Sequence, residues 1–255
     1  MSWVTLLTPD YVYTFLLLFV RLATLFVFMP FFNHMSVPPQ IKAAFAFYLA
    51  VLLYPLMPAT PEPTNAALFF AALFSEIVIG LIAGLALSIV FGMFAYAGEQ
   101  IAFVMGFSLA SVIDPQSQIQ SPLVSQFLTL LALVVLLAFN GHYLILMWMV
   151  DALRAAPLGG FVLSHDMLSY VNKAMAHLFV MGFSIAFPIV ALSLLSDIIF
   201  GMLMKTMPQF NLLVVGFPIK IGLGFMVWAV VLGGMMLLFK REFLAAIEVV
   251  MGWLQ

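Results

Sequence analysis

The chain has 255 residues, of which 66% are hydrophobic and 7% charged, with a net charge of −2 and no cysteine. Soluble domains carry about 25% charged residues, so a chain this apolar belongs in a membrane or buried among other subunits. The small net charge gives no reason to expect nucleic acid as a partner, and without cysteine there are no disulfides, thiolate metal sites or cysteine nucleophiles.

In chain order, Thr8-Pro9 predicts the start of a first helix running to about Met29, interrupted by Arg21. No Lys or Arg precedes Arg21 and no small-residue cleavage pattern follows this run, so insertion is expected to use the run itself. Pro30 and Pro38-Pro39 are expected to end it and hold an extended turn. The next run, Ala43 to Leu56, falls short of the ~20 residues of a simple span. A proline-rich linker, PLMPATPEPT, follows. Ala66 to Phe107 is then apolar apart from Glu76, Glu99 and Gln100. As one helix it would be ~63 Å long, twice the ~30 Å hydrocarbon core, so it is expected to bend back, tilt strongly or leave the bilayer.

Between Met105 and Gln126 the chain turns abruptly polar, rich in Ser and Gln. Such a segment cannot face lipid, where unsatisfied backbone groups cost several kcal/mol each. It is either an ordinary loop or a plug, in which Gly106 is a hinge, Phe107, Leu109, Val112 and Ile113 are the packing residues, and Asp114-Pro115 ends the apolar stretch. An apolar constriction of this kind can stop ions by dewetting. Ser121-Pro122 predicts the next helix start, followed by apolar Val124 to Val150 with a polar step at Asn140-Gly141-His142. A mixed segment, Asp151 to Lys173, precedes two last runs, Met175 to Met204 and Leu212 to Phe239, on either side of the turn KTMPQFN. From Lys240 to Gln255, Phe243, Leu244, Ile247, Val250, Met251 and Leu254 make an apolar stripe at helical spacing. It is expected to lie against neighbouring subunits or the membrane interface, with Arg241, Glu242 and Glu248 towards water.

Two sets of residues stand out within these runs. Gly80, Gly84, Ser88 and Gly92 repeat every four residues beyond Glu76, a groove of small residues that admits another helix, either from this chain or from a neighbour. Arg21, Glu76, Glu99, Asp197 and Lys220 are charges inside apolar runs, each costing ~2.5–3.5 kcal/mol at mid-helix. They are read either as structural ion pairs or as a proton or ion relay. Asp197 and Lys220 lie at similar distances on either side of Pro208, so antiparallel helices would pair them. No metal constellation is expected: His34, His165 and His177 are scattered, and His142 has no second His at ligand spacing, so it is read as hydrogen-bonded. Nucleophile-elbow, zinc-protease and phosphate-loop motifs are absent, so no enzyme activity or cofactor is expected.

One set of segments, taken together, resembles a known family. KTMPQFNLLVVGFPIKIGLG is similar to the signature of the FliR family, a flagellar type III export-gate subunit, and RLATLFVFMPFF, PPQIKAAFAF, EIVIGLIAGLALS, AGEQIAFVMGFSLASVIDPQ and NGHYLI extend the likeness in order. The resemblance implies an all-α integral membrane subunit with kinked, overlong helices and hairpins, FliP-like to about Lys173 and FliQ-like over about 174–255. It implies one copy of this chain with FliP and FliQ subunits, working with FlhB in the bacterial inner membrane at the flagellar basal body. The function implied is a closed helical channel for unfolded flagellar substrates, in contact with membrane lipid. Counting Lys and Arg in loops mildly favours cytoplasmic termini. The resemblance implies the reverse, with the KTMPQFN turn at the cytoplasmic entrance, and the present reading follows it. The alternative function is a small secondary transporter coupled through Glu76, Glu99 or Asp197, although no internal repeat of the transporter kind is visible.

Overall fold

Prolines, an αL asparagine and glycines set the element boundaries in this chain. The computed structural model describes residues 8–29, 37–107, 123–155, 157–160, 165–207, 209 and 211–252. Helix α1 spans Pro9–Phe28, with Thr8 extended before a proline whose missing N–H costs nothing in a first turn. Helix α2 spans Pro39–Leu53 and continues as a 3₁₀ turn, Tyr54–Leu56. Pro39 was expected in an extended turn; it instead occupies the first helical position, which its fixed φ suits.

Helix α3, Ala66–Met105, is one continuous element of 40 residues, about 60 Å long. It does not bend back, so tilt or departure from the bilayer remains. The apolar run after it is two helices, α4 (Leu123–Ala138) and α5 (Gly141–Ala155), because Asn140 sits at φ 60° between them. Asn tolerates this left-handed conformation better than other non-glycine residues. Helix α6, His165–Thr206, has 42 residues and starts well before the expected Met175. Asn211 then caps a short π-helical turn, Leu212–Gly216, with its side chain accepting from Val214 N at 3.3 Å. Helix α7 runs unbroken over Phe217–Gly252, absorbing the separately expected terminal helix. Among the described residues there are no strands, and five helices are long and apolar enough to cross a membrane, or six spans if α4 and α5 count as one. The protein is an all-α integral membrane protein.

Two interleaved units divide the chain. The first comprises 1–89, 140–174 and 243–255. Within it α1 packs on α2 through edge-to-face aromatic pairs, Phe15–Phe47 at 5.5 Å and Phe26–Phe45 at 5.1 Å. The proline-rich linker is tied to α1 by Thr60 N donating to Thr14 Oγ1 and Glu62 N donating to Asp10 Oδ1, both at 2.8 Å. Phe243 and Val250 of the terminal stripe are buried in this unit, as is Ala246 beside them, and Ile247 and Val250 meet Ala83, Leu87, Ile145 and Trp148. That part of the stripe was expected against neighbouring subunits or the membrane interface; it is instead core of this chain. The second unit comprises 90–139 and 175–242. Phe91 and Phe94 stand edge-on to Phe239 at 5.1 and 5.3 Å, and Tyr96 stands edge-on to Phe179. Ser125 Oγ donates to Ala95 O at 2.9 Å where α4 crosses α3 at Gly98.

Close crossings at glycine make a direct prediction. A Cβ on Gly80 would lie 2.6 Å from Arg21 O, and one on Gly98 would collide with the Ser125 backbone, whereas Gly222 and Gly233 face open space. Gly80→Ala and Gly98→Ala should each destabilise the detergent-solubilised protein by about 1–3 kcal/mol. Gly222→Ala and Gly233→Ala should leave the melting temperature of the isolated chain unchanged or slightly raised, since alanine is the better helix former.

Candidate functional site

The first charged site lies in the first unit, where α1 and α3 meet. Arg21 and Glu76 are 4% and 0% exposed. Arg21 Nε donates to Glu76 Oε2, and Nη2 donates to Oε1 at 3.0 Å, a two-pronged pair. Glu76 Oε1 also accepts Gly159 N–H at 2.7 Å. Gly159 has φ 78°, which favours glycine, and a Cβ there would lie 3.3 Å from Leu17 and 3.4 Å from Ala72. One carboxylate therefore ties together α1, α3 and the turn after α5. The close crossing is made by the small residues beside it. Gly80 and Gly84 lie against Arg21, Thr24, Leu25 and Phe28, and Ser88 Oγ donates to Phe28 O. So Gly80, Gly84 and Ser88 admit a helix of this same chain. From Gly80 to Gly92 the row turns by about 120°. Gly92 accordingly meets a different element, Leu178 of α6, within the second unit.

The remaining charges are less buried than expected. Lys220 Nζ donates to Asp197 Oδ1 at 2.7 Å and Oδ2 at 2.8 Å, so the pairing across the α6–α7 turn is direct. Lys220 is 10% exposed at its side chain, but Asp197 is 52% exposed. Glu99 also faces outward. Both carboxylates were expected among the buried charges; they lie on helix faces that this chain leaves uncovered. Glu242, expected towards water, pairs with His177 Nε2 at 2.9 Å. His142 was read as hydrogen-bonded, yet its Nδ1 is buried without a partner among the described residues, and its ring packs on Tyr143. Gly159 and the His177–Glu242 contact escaped the sequence reading. The dipeptide Gly159-Gly160 was the only local signal for the first, and none existed for the second.

The base of the polar segment lies in the second unit. Gly106 has φ 87° and donates to Phe103 O at 3.1 Å, while Phe107 N donates to Ala102 O at 3.0 Å, which ends α3 with an αL glycine. Ser193 Oγ of α6 donates to Val104 O at 2.8 Å, and a Cβ on Gly106 would lie 2.6 Å from the Phe217 ring. Phe107 and Leu123 flank the segment and help line an apolar groove of ≈ 690 Å³ with Phe127, Phe225, Trp228 and Leu232. Leu109, Val112, Ile113, Asp114 and Pro115 lie outside the described residues.

These features define an all-α integral membrane protein whose buried charge is consumed in holding helices together. The sequence profile described as bacterial export proteins, family 1, matches residues 12–246. The chain is 33% identical to the flagellar biosynthetic protein FliR of Bacillus subtilis over 92% of each chain. It is 29% identical to FliR of Escherichia coli over 80% of this chain and 78% of that one, and 26% identical to FliR of Caulobacter vibrioides over 95% and 97%. The chain belongs to the FliR family of flagellar biosynthetic proteins, and its role is in flagellar protein export.

The buried pair makes a prediction. Glu76→Gln should cost about 3–5 kcal/mol, because it leaves the Arg21 guanidinium buried without its counter-charge. Arg21→Met combined with Glu76→Leu should recover most of that loss. The check is the melting temperature in detergent, and a single variant as stable as wild type would contradict the clamp.

Proposed function

We propose that this chain is the single-copy subunit of the flagellar type III export gate, assembled with FliP and FliQ and working with FlhB in the bacterial inner membrane. Residues 1–173 act as a FliP-like part and 174–255 as a FliQ-like hairpin. The assembly is a closed helical channel that passes unfolded flagellar substrates.

One observation carries this reading. Apolar side chains are exposed along α6 from Met175 to Met204, including Phe179, Phe183, Phe187, Leu195, Ile199 and Met202. That stretch rises about 44 Å. Even at a tilt of about 40°, the steep end of the usual range, it covers about 34 Å, more than the ~30 Å hydrocarbon core. Lipid alone does not cover it at ordinary tilts, and partner subunits do. Of the three carboxylates the transporter alternative could use, Glu76 is held by Arg21 and Gly159 and Asp197 by Lys220, while Glu99 lies on an exposed helix face.

Within the gate, residues 106–122 are read as a plug in the closed channel, with Phe107, Leu109, Val112 and Ile113 as its apolar seal. The support is its anchorage: the end of α3 is tied by Ser193 and backed by Phe217, a firm base for a segment that must move.

Two measurements test the proposal. A tagged copy solubilised in mild detergent should bring down FliP and FliQ in excess over itself; recovery alone or as a homo-oligomer would refute the assignment. Deleting part of 108–122 should raise ion leakage through the assembled complex while leaving its assembly intact. Leakage equal to wild type would remove the plug.

A further inference from the structure

The face of α6 around Asp197 suits neither lipid nor water. Asp197 is half-exposed, and Leu194, Ile198 and Met202 beside it are each more than half exposed. Hydrocarbon would cover the three apolar side chains but penalise the carboxylate. Water would solvate the carboxylate but leave the apolar side chains exposed as a patch. A protein surface that is apolar and carries one complementary polar group satisfies both, wherever along the bilayer normal this part of α6 sits.

Two details say what that group is. Lys220 is nearly covered and approaches from within the unit, binding both carboxylate oxygens at 2.7 and 2.8 Å. An ionised carboxylate has about four acceptor positions, so positions remain for a donor from the exposed side. The pair therefore shows its negative end outward. Gly201, one turn further along α6, is exposed, and a Cβ added there would meet nothing within 4 Å. A bare glycine beside the charge lets a partner backbone come close.

We propose that Leu194, Asp197, Ile198, Gly201 and Met202 form a docking surface for an apolar helix of another subunit that carries one basic side chain. That Lys or Arg shares the Asp197 carboxylate with Lys220, so the carboxylate bridges two cations across the subunit boundary. The inference rests on the reading of this chain as a subunit of a hetero-oligomeric gate.

A charge swap separates this role from an internal one. Asp197→Lys with Lys220→Asp preserves the pair within the chain but turns a cation towards the partner. The experiment compares tagged wild-type and swapped chains, scoring both membrane accumulation and the partner subunits recovered per chain. The swap is expected to accumulate as wild type does while partner recovery falls about tenfold or more, the scale of breaking a buried pair. Partner recovery equal to wild type would overturn the proposal, because it would make the pair purely internal. If the swapped chain fails to accumulate, Asp197→Asn with Lys220→Met asks the same question with both charges removed. Partner loss in that variant supports a cation on the other side, and full recovery overturns it. A wild-type chain that recovers no partners refutes the gate assignment itself, an outcome distinct from either.

Discussion

Charge inside an apolar chain must be neutralised where it stands, and in this protein that requirement is met first at Glu76. Its carboxylate takes two donors from Arg21 and one from Gly159. Each ion alone would cost several kcal/mol to bury, so the residues that hold the second ion and the third donor in place are as constrained as the carboxylate. Gly80 and Gly84 allow α1 to come close enough for Arg21 to reach. Gly159 allows the turn after α5 to present its N–H. Gly80 and Gly84 of the small-residue row and the buried pair are thus one feature, and its product is a fixed mutual arrangement of α1, α3 and the 157–160 turn.

The second unit follows a different economy. Its helices bury aromatic side chains around Phe239 and cross closely at Ser125, yet α6 and α7 leave long rows of Phe, Leu, Ile, Met and Val uncovered. Uncovered apolar surface longer than a bilayer's hydrocarbon core, interrupted by a half-exposed carboxylate, is the surface of a component that belongs inside an assembly. Membership of the FliR family agrees with that physical reading without being needed for it.

How much of this was legible beforehand depended on whether the signal was local. Thr8-Pro9 marked the start of α1 because a proline at the first helical position acts within one turn. Asp197 and Lys220 were paired from their distances to Pro208, since a tight turn fixes the register of two antiparallel helices. The break at Asn140 was visible only as a polar step, because the apolar run continues through it and hydrophobicity alone does not report a single αL residue. The first turns of α6, with His165, Asp166, Ser169, Asn172 and Lys173, were read as a mixed segment because a polar helix has no apolar signature. The exposure of Glu99 and Asp197 was not legible, because every charge in an apolar run looks buried until the neighbouring helices are placed. The terminal stripe from Phe243 onward was recognised as a face, but which partner it covers depends on tertiary packing that no periodicity encodes.

The central claim is that the outer face of α6 is covered by protein along its whole apolar length. Photo-crosslinking amino acids placed singly at Phe179, Phe187, Leu194 and Met202, in native membranes, read out that covering directly. The account predicts adducts to partner subunits at all four positions. Adducts to lipid alone at all four would contradict it.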